Sequence, residues 1–324
     1  MNRFFFLVLL LGIVACNKGV TPTQSLAQET QVIQSSTQGT STGSATQSGS
    51  NDVDAQTAIQ LNENVDLGIP VNKEQLSEIL ISRKQYVLSY NHSNRVLNWA
   101  AWKLELKNLG NVKRGRFLPD QILNTYLQEQ NIGKSVVTTD YTNSCFNRGH
   151  TVPSADRNAT NDDNNATFLM SNITPQTAFL NQVAWGHLEY YERALAQQGK
   201  TLYIYAGPIY ERQMGGIGSQ ADIKIPTKFF KIIVEFDALD TTHTINKNTP
   251  MTIVIMPNTT SAGTYPDEDR ETLCNDSKRL PSSKADFDDW KKYQTTIEDV
   301  EKQTGLKFFE ENSEQILSPI IVAA

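Results

Sequence analysis

One segment of this 324-residue chain combines residue types that could do chemistry, namely Asn147-Arg148-Gly149-His150. A histidine can take a proton from water near neutral pH. An arginine two residues earlier lies on the same face of an extended segment and could bind a phosphodiester oxygen. Gly149 leaves room for close approach of backbone or ligand. Alone the segment is a weak signal, because a single histidine is more often an ordinary core or surface residue.

A second polar set lies in a predicted helix that begins near Pro175, since proline suits a first helical turn. On such a helix Asn181, Trp185 and Glu192 fall within about 40° of arc, and Glu189 lies about 80° from Asn181. An amide oxygen is a suitable ligand for Mg²⁺, which keeps several waters, and a carboxylate could hold those waters. The alternative is an amphipathic helix whose Asn and Glu side chains are merely exposed.

Apolar alternation and capping signals predict the elements that must position these two segments. Strands are predicted at Gln85–Tyr90, Val96–Leu106, Ser135–Tyr141, Lys200–Ala206, Phe229–Phe236 and Met251–Met256. Helices are predicted around Lys73–Leu80 and in a segment that opens with a capping box at Thr296 and ends at Gly305. No internal repeat is present.

The N-terminus carries an export signal. Met1–Arg3 is positively charged, and the apolar run Phe4–Val14 is too short to span a membrane. Small residues lead directly into Cys16, as in bacterial lipoprotein signals, so residues 1–16 are predicted to be a lipoprotein-type signal with Cys16 lipidated. The chain is then exported and lipid-anchored to the cell envelope, in the periplasm or at the cell surface. The alternative is an ordinary signal peptide, with Cys16 incidental.

A polar segment follows the signal. Of the 30 residues from 21 to 50, 23 are Ser, Thr, Gln or Gly, and such a composition cannot bury enough apolar surface to fold. Residues 17–64 are therefore predicted to be a disordered linker. Residues 65–324 are predicted to form one folded domain that begins near Val65.

Charge is unevenly distributed along the chain. The net charge of −6 argues against binding nucleic acid by bulk attraction. Residues 79–150, however, contain ten Lys or Arg and four Asp or Glu, a local charge of +6. A solvated basic face would explain this local charge, but beside a phosphate-cleaving centre a polyanion-binding face explains it better.

Two cysteines remain after Cys16, and they are Cys145 and Cys274. An even pair in an exported chain is compatible with a disulfide, which would pin the C-terminal loop beside the first segment. Two free thiols are the alternative. Neither cysteine has the spacing of a metal site.

Three ordered segments together resemble the DNA/RNA non-specific endonuclease family. They are Asn147–His150, Phe168–Gln176 and Leu180–Glu189, with supporting matches at Tyr203–Pro208, at Pro226–Lys231 and in the strand NWAAWKL. The resemblance extends from near Val87 to near Phe309. It implies an α+β, ββα-metal nuclease fold with a central, mostly antiparallel sheet flanked by helices.

The resemblance also implies roles for individual residues. His150 is similar to the general base, Asn181 to the single direct protein ligand of Mg²⁺, and Arg148 to a phosphate-binding arginine. Glu189 matches the acid that positions metal-bound water, and Asn172 matches an asparagine that supports the active centre. The family has a further arginine upstream, for which Arg114 is the first choice and Arg116 the second.

These matches imply a Mg²⁺-dependent endonuclease, with Mn²⁺ as a substitute metal. It would cleave DNA and RNA to 5′-phosphate ends by attack of water, with phosphate contacts that read no bases. The oligomeric state stays open, a homodimer included.

One residue departs from the family, which usually has Asp where this chain has Asn147. Two alternatives stay open, the first of them because of this departure and the acidic net charge. One is a catalytically weakened nucleic-acid-binding surface lipoprotein, and the other is a phosphodiesterase acting on lipids or small nucleotides.

Overall fold

A computed structural model describes residues 55–72, 78–261, 270–276, 288–310 and 318–323. The predicted export signal, Cys16 and the Ser/Thr/Gln-rich segment lie outside the described residues. Within the described ranges, no helix has both the length and the apolar character needed to cross a membrane.

Thirteen strands are described: β1 Val71–Asn72, β2 Glu78–Arg83, β3 Val87–Asn91, β4 Val96–Leu104, β5 Asn147–His150, β6 Ile173–Gln176, β7 Thr201–Ile209, β8 Gly216–Ile217, β9 Ile223–Lys224, β10 Lys228–Phe236, β11 Met251–Pro257, β12 Leu306–Lys307 and β13 Ile320–Ala323. Seven of them form the central sheet, in the order β11-β10-β7-β4-β3-β2-β13. Every pair in that sheet is antiparallel except β13 with β2. This confirms the predicted α+β fold with a mostly antiparallel sheet.

The described helices are α1 (55–60), α2 Gln121–Glu129, α3 Asn161–Thr167, α4 Ala178–Gln182, α5 Ala184–Gln197, α6 Arg270–Asp276 and α7 Ile297–Thr304. α7 is capped by Thr296 and ends at Gly305, which has the predicted left-handed backbone with φ 73°.

The central sheet is buried on both faces. On β4, Trp102 packs into the core beneath α5, whereas Trp99 packs into the core on the opposite face. Such alternation of large apolar side chains to both sides is what a strand needs when helices cover each face. The helix α5 therefore packs on one face of a sheet that is buried on both sides.

The folded region begins before the predicted boundary at Val65. Ile59 in α1 is fully buried in the core. Asn62 donates hydrogen bonds to Ser82 Oγ and to the carbonyl of Arg83, both at 2.9 Å. Residues 55–64, predicted to belong to the linker, therefore pack on the sheet. The side chain of Ile59 is buried against it, and the amide of Asn62 bonds to it.

The predicted single helix from Pro175 is wrong. Pro175 lies in β6, where it pairs with Arg148, and Thr177 caps the following helix α4. The helix then breaks at Val183, whose backbone has φ −113° and ψ −99°, before α5 begins. Proline is tolerated in this strand because its missing N–H costs nothing at an edge.

Two other local predictions also differ from the structure. The predicted strand at Ser135–Tyr141 is instead an irregular segment followed by a 3₁₀ turn at Thr138–Tyr141. The Asp140 carboxylate accepts the backbone N–H of Val137 at 3.0 Å and closes that turn. In the predicted helix at Lys73–Leu80, residues 73–77 lie outside the described residues, and strand β2 begins at Glu78.

A disulfide joins Cys145 and Cys274, with 4.8 Å between their Cα atoms. It ties α6 to the chain two residues before β5, as the cysteine pair suggested. The bond closes a sequence separation of 129 residues, which strongly restricts the unfolded chain.

Replacing Cys274 with Ser should lower the free energy of unfolding by about 2–5 kcal/mol, because the unfolded chain regains that freedom. Thermal melting with and without reductant measures the effect. Wild type should melt lower when reduced, whereas the variant should not respond to reductant. Equal melting of the two proteins in oxidising buffer would contradict the prediction.

Candidate active site

The two-stranded hairpin of β5 and β6 carries the segment that contains His150. Its register pairs Arg148 with Pro175 and His150 with Ile173. The side chain of Gln176 crosses over Gly149 so closely that an added Cβ would lie 2.2 Å from its Oε1 atom. Any larger residue between Arg148 and His150 would therefore require the buried Gln176 side chain to move.

His150 lies in an aromatic pocket and is 8% exposed. Its ring meets Phe168 edge-to-face with centroids 4.7 Å apart, and Phe117 lies 5.3 Å away. Among the described residues its Nε2 atom has no hydrogen-bond partner. Burial first, and then the positive charge of Arg114, lower the pKa of His150 to about 3 from 6.5. The imidazole is therefore neutral throughout the physiological range.

This lowered pKa predicts a pH dependence of stability. Between about pH 6.5 and about pH 3 the unfolded chain binds a proton on His150 that the folded state does not, so stability falls as the pH falls through this window. Between pH 6.5 and 4.5, His150 should lower the free energy of unfolding of wild type by roughly 2 kcal/mol, and His150→Gln should lack this contribution. Urea unfolding at a series of pH values measures it. An unchanged slope in the variant would show that His150 is not buried in neutral form.

Asn172 fixes the chain just after His150. It is fully buried. Its Oδ1 accepts the backbone N–H of Val152, and its Nδ2 donates to the carbonyls of Val152 and Thr167, all at 2.9–3.0 Å. The backbone carbonyl of Asn172 also accepts the N–H of Thr151. These bonds use both ends of the amide within the protein, so Asn172 acts as a positioning residue.

Asn181 lies near the end of α4, half-buried, next to the start of β5. Its Nδ2 donates to Oδ1 of Asn147 at 2.9 Å. The same oxygen accepts a second bond, from Nε2 of Gln182, at 2.7 Å. The bond to Asn147 uses the amide nitrogen of Asn181 and not its oxygen.

Glu189 lies on α5, half-buried, with its Oε2 atom 3.8 Å from Nη1 of Arg193. Burial raises the pKa of Glu189, and the charges of Lys231 and Arg193 oppose that rise. The charge of Arg114 acts on Glu189 as well as on His150. Arg114 is therefore within electrostatic range of both His150 and Glu189, which come from separate elements.

The arginines divide into anchored and exposed ones. Arg148 is half-buried and donates to the carbonyl of Thr138 at 2.9 Å, with its guanidinium 5.5 Å from the ring of Phe117. The guanidinium of Arg114 lies 5.4 Å from the ring of Phe168, which contacts His150. Arg114 and Arg116 are both exposed, but Arg116 has no such ring contact among the described residues. These contacts favour Arg114 over Arg116 as the residue near the candidate base.

The profile of the DNA/RNA non-specific endonucleases matches residues 63–315, which is more than half of the chain. This chain belongs to the DNA/RNA non-specific endonuclease family. The family places it among the nucleases and confirms the predicted resemblance. It lends no support to a protein that only binds nucleic acid.

Two curated nucleases show how far this endonuclease resembles its relatives. A nuclease of Nostoc sp. strain PCC 7120 is 34% identical over 245 residues, which cover 74% of this chain and 77% of the relative. A nuclease of Serratia marcescens is 32% identical over 178 residues, 53% of this chain and 63% of the relative.

A solved structure shows that the fold is shared. The crystal structure of an EndoG/EndoGI complex, which concerns inhibition of EndoG, matches with a TM-score of 0.56 at 23% identity. It covers 77% of this chain and 91% of the matched chain. At this identity the match shows the nuclease fold alone.

Beneath Glu189 the endonuclease has a charged network that the sequence analysis missed. Arg193 bonds the buried carboxylate of Asp156 at 3.0 Å, and Lys231 bonds Glu192 at 2.9 Å with both side chains fully buried. Glu192 therefore faces the core and not the site. The spacing of Glu189 and Arg193, four residues apart on a helix, could have indicated part of the network. Nothing local indicated Asp156.

Among the described residues, no three His, Cys, Asp or Glu side chains gather as a metal cluster. A cation held there must rely on other oxygen donors. The amide oxygen of Asn181 is a donor of this kind, and it suits Mg²⁺ because this ion takes few protein oxygens and retains waters.

Proposed function

We propose that this protein is a Mg²⁺-dependent non-specific endonuclease that hydrolyses phosphodiester bonds of DNA and RNA to 5′-phosphate products. The observation that carries the proposal is the neutral, buried imidazole of His150, on a hairpin bonded through Asn147 to the amide of Asn181. An imidazole with an unpaired ring nitrogen and a carboxamide oxygen are the base and the metal ligand that hydrolysis by activated water needs, and the Asn147 bond joins the elements that carry them.

Asn181 would hold the ion through Oδ1, and Mn²⁺ would substitute because it takes the same oxygen ligands. When bound, such an ion supplies charge stabilisation at the scissile phosphate and at its leaving oxygen. Glu189 would orient the waters around the ion through its carboxylate. The charged network of Arg193 and Asp156 keeps that carboxylate in place.

His150 would draw a proton from the attacking water, and the aromatic pocket keeps its ring oriented. Arg148, anchored to Thr138, would bind a phosphate oxygen beside it. Arg114 would add a second cationic contact, and Asn172 would hold the backbone that follows the base. Because the nucleophile is water and not the ribose 2′-hydroxyl, both DNA and RNA should serve as substrates.

The substrate surface would extend over the exposed loop that carries Lys113, Arg114 and Arg116. This loop belongs to the segment with a local charge of +6. Contacts between cationic side chains and phosphates position a strand without reading its bases, which supports low sequence specificity. They also predict weaker binding at higher salt.

Supercoiled plasmid and a structured RNA, each incubated with purified protein in Mg²⁺ or in EDTA, test the proposal. We expect nicking and RNA cleavage in Mg²⁺ alone, with ends that a ligase requiring 5′-phosphate can join. Turnover of small phosphodiesters without plasmid cleavage, or cleavage that persists in EDTA, would contradict it.

We also propose that the protein is exported and anchored by lipid at Cys16, on the strength of the signal that ends at this residue. Several acyl chains would hold it stably, since a single chain anchors only marginally. Labelled palmitate should be incorporated by wild type and not by Cys16→Ala. Equal labelling of both proteins would contradict lipid attachment at Cys16 and would not bear on the proposed nuclease activity.

A further inference from the structure

Three carboxamides meet at the edge of the site, and we call Asn147, Asn181 and Gln182 the amide cluster. Oδ1 of Asn147 accepts from Nδ2 of Asn181 at 2.9 Å and from Nε2 of Gln182 at 2.7 Å. Both neighbours therefore turn their oxygens away from Asn147. We call this direction of donors and acceptors the first polarity of the cluster. In the first polarity the Asn181 oxygen is free to bind a cation.

A carboxamide cluster has a second polarity with the same number of hydrogen bonds. An amide carries an acceptor oxygen and an NH₂ group with two donors. If all three amides reverse, Nδ2 of Asn147 donates to the oxygens of Asn181 and Gln182. The Asn181 oxygen is then occupied, and an NH₂ group faces the position of the cation.

A carboxylate at position 147 would allow only the first polarity, because an ionised carboxylate accepts and never donates. The family usually has Asp at this position, and this chain has Asn147. With Asn147 in place of Asp, the cluster lacks the carboxylate that would hold it in the first polarity. Nothing else in the cluster replaces it, because Gln182 is also a carboxamide.

We propose that Asn147 is a positioning residue that sets the polarity of the amide cluster, and that its carboxamide makes the cation ligand Asn181 switchable between a binding and a non-binding state. This inference rests on the proposed function, since it assigns Asn181 to the cation. Cation binding selects the first polarity, so the apparent affinity is reduced by the fraction of molecules in the other state.

Two variants that each add one negative charge to the cluster separate this mechanism from simple attraction of the cation by that charge. Asn147→Asp permits only the binding polarity and strengthens the bonds to both neighbours. Gln182→Glu accepts only, so it draws the NH₂ group of Asn147 toward itself and favours the non-binding polarity. Gln182 is exposed, so the second change should not disturb folding.

Isothermal calorimetry with MgCl₂ and MnCl₂ on the full chain, without nucleic acid, measures the effect, and thermal melting checks folding. We expect the Kd for Mg²⁺ to fall at least about threefold in Asn147→Asp and to rise at least about threefold in Gln182→Glu. Tighter binding by both variants would show that charge alone acts, and unchanged binding by both would show no control of polarity. Either result overturns the inference.

The plasmid assay distinguishes failure of this inference from failure of the proposed function. If wild type nicks plasmid in Mg²⁺ but the two variants do not move apart in affinity, only the polarity mechanism is wrong. If wild type neither binds Mg²⁺ nor nicks plasmid, both proposals fall.

Discussion

Replacing His150 with Ala should lower the rate of plasmid nicking about 10²- to 10⁴-fold, the range expected when a general base is removed. The reason is that His150 would take the proton of the attacking water through its Nε2 atom, which has no hydrogen-bond partner among the described residues. No other described histidine shares its pocket with Arg148 and Arg114. Single-turnover nicking rates with saturating Mg²⁺ measure the loss.

His187 provides a matched control, because it is also 8% exposed. Its Nδ1 atom lies 3.1 Å from Asp289, a residue with no role in the candidate site. His187→Ala should therefore reduce stability without a comparable loss of rate. Equal rate losses in the two variants would mean that His150 serves only to hold the fold.

Replacing Asn181 with Ala should have the second largest effect, a loss of about 10²-fold in rate with much weaker Mg²⁺ binding. The predicted cause is that the amide is the one direct protein ligand of the ion, so its loss leaves only water-mediated contacts. Nicking rates across a Mg²⁺ titration, with calorimetry on the same protein, measure both quantities. An exposed carboxamide on α5, Gln197, is the control residue.

Gln197→Ala should leave both the rate and the Mg²⁺ affinity unchanged. If Asn181→Ala binds Mg²⁺ as tightly as wild type, Asn181 is not a ligand. If it loses affinity but regains the full rate at high Mg²⁺, Asn181 recruits the ion without contributing further to the reaction.

Much of the sheet could be predicted because its strands have strong local patterns. The predicted strand at Val96–Leu106 is described as β4, and the one at Phe229–Phe236 as β10. Gly305 was predicted to end α7 from its position after a capped helix, and its left-handed backbone confirms this. These features depend on alternation and capping, which are local.

The break between α4 and α5 could not be predicted, because the helical spacing of Asn181, Trp185 and Glu192 continues through it. The late start of α4 depends on a contact distant in sequence, because Pro175 is held in β6, where its carbonyl accepts from Nδ2 of Asn258 at 3.1 Å. On the two sides of the break, Asn181 bonds Asn147 of β5, whereas Trp185 and Glu192 are buried against the sheet.

The beginning of the fold and the turn before β5 were missed for a similar reason. Ile59 lies in a polar stretch, and its burial depends on a surface of the sheet that forms elsewhere. The segment before Tyr141 has the alternation of a strand, but the Asp140 carboxylate binds its backbone and turns it. Side-chain bonds to backbone can override a short apolar pattern.

The central claim is that His150 and Asn181 serve the same scissile phosphate, and a double-variant cycle tests it most directly. Residues that act as one unit show strongly non-additive losses. We predict that His150→Ala combined with Asn181→Ala nicks plasmid about as slowly as the slower single variant. A double variant whose loss equals the product of the two single losses would contradict the claim.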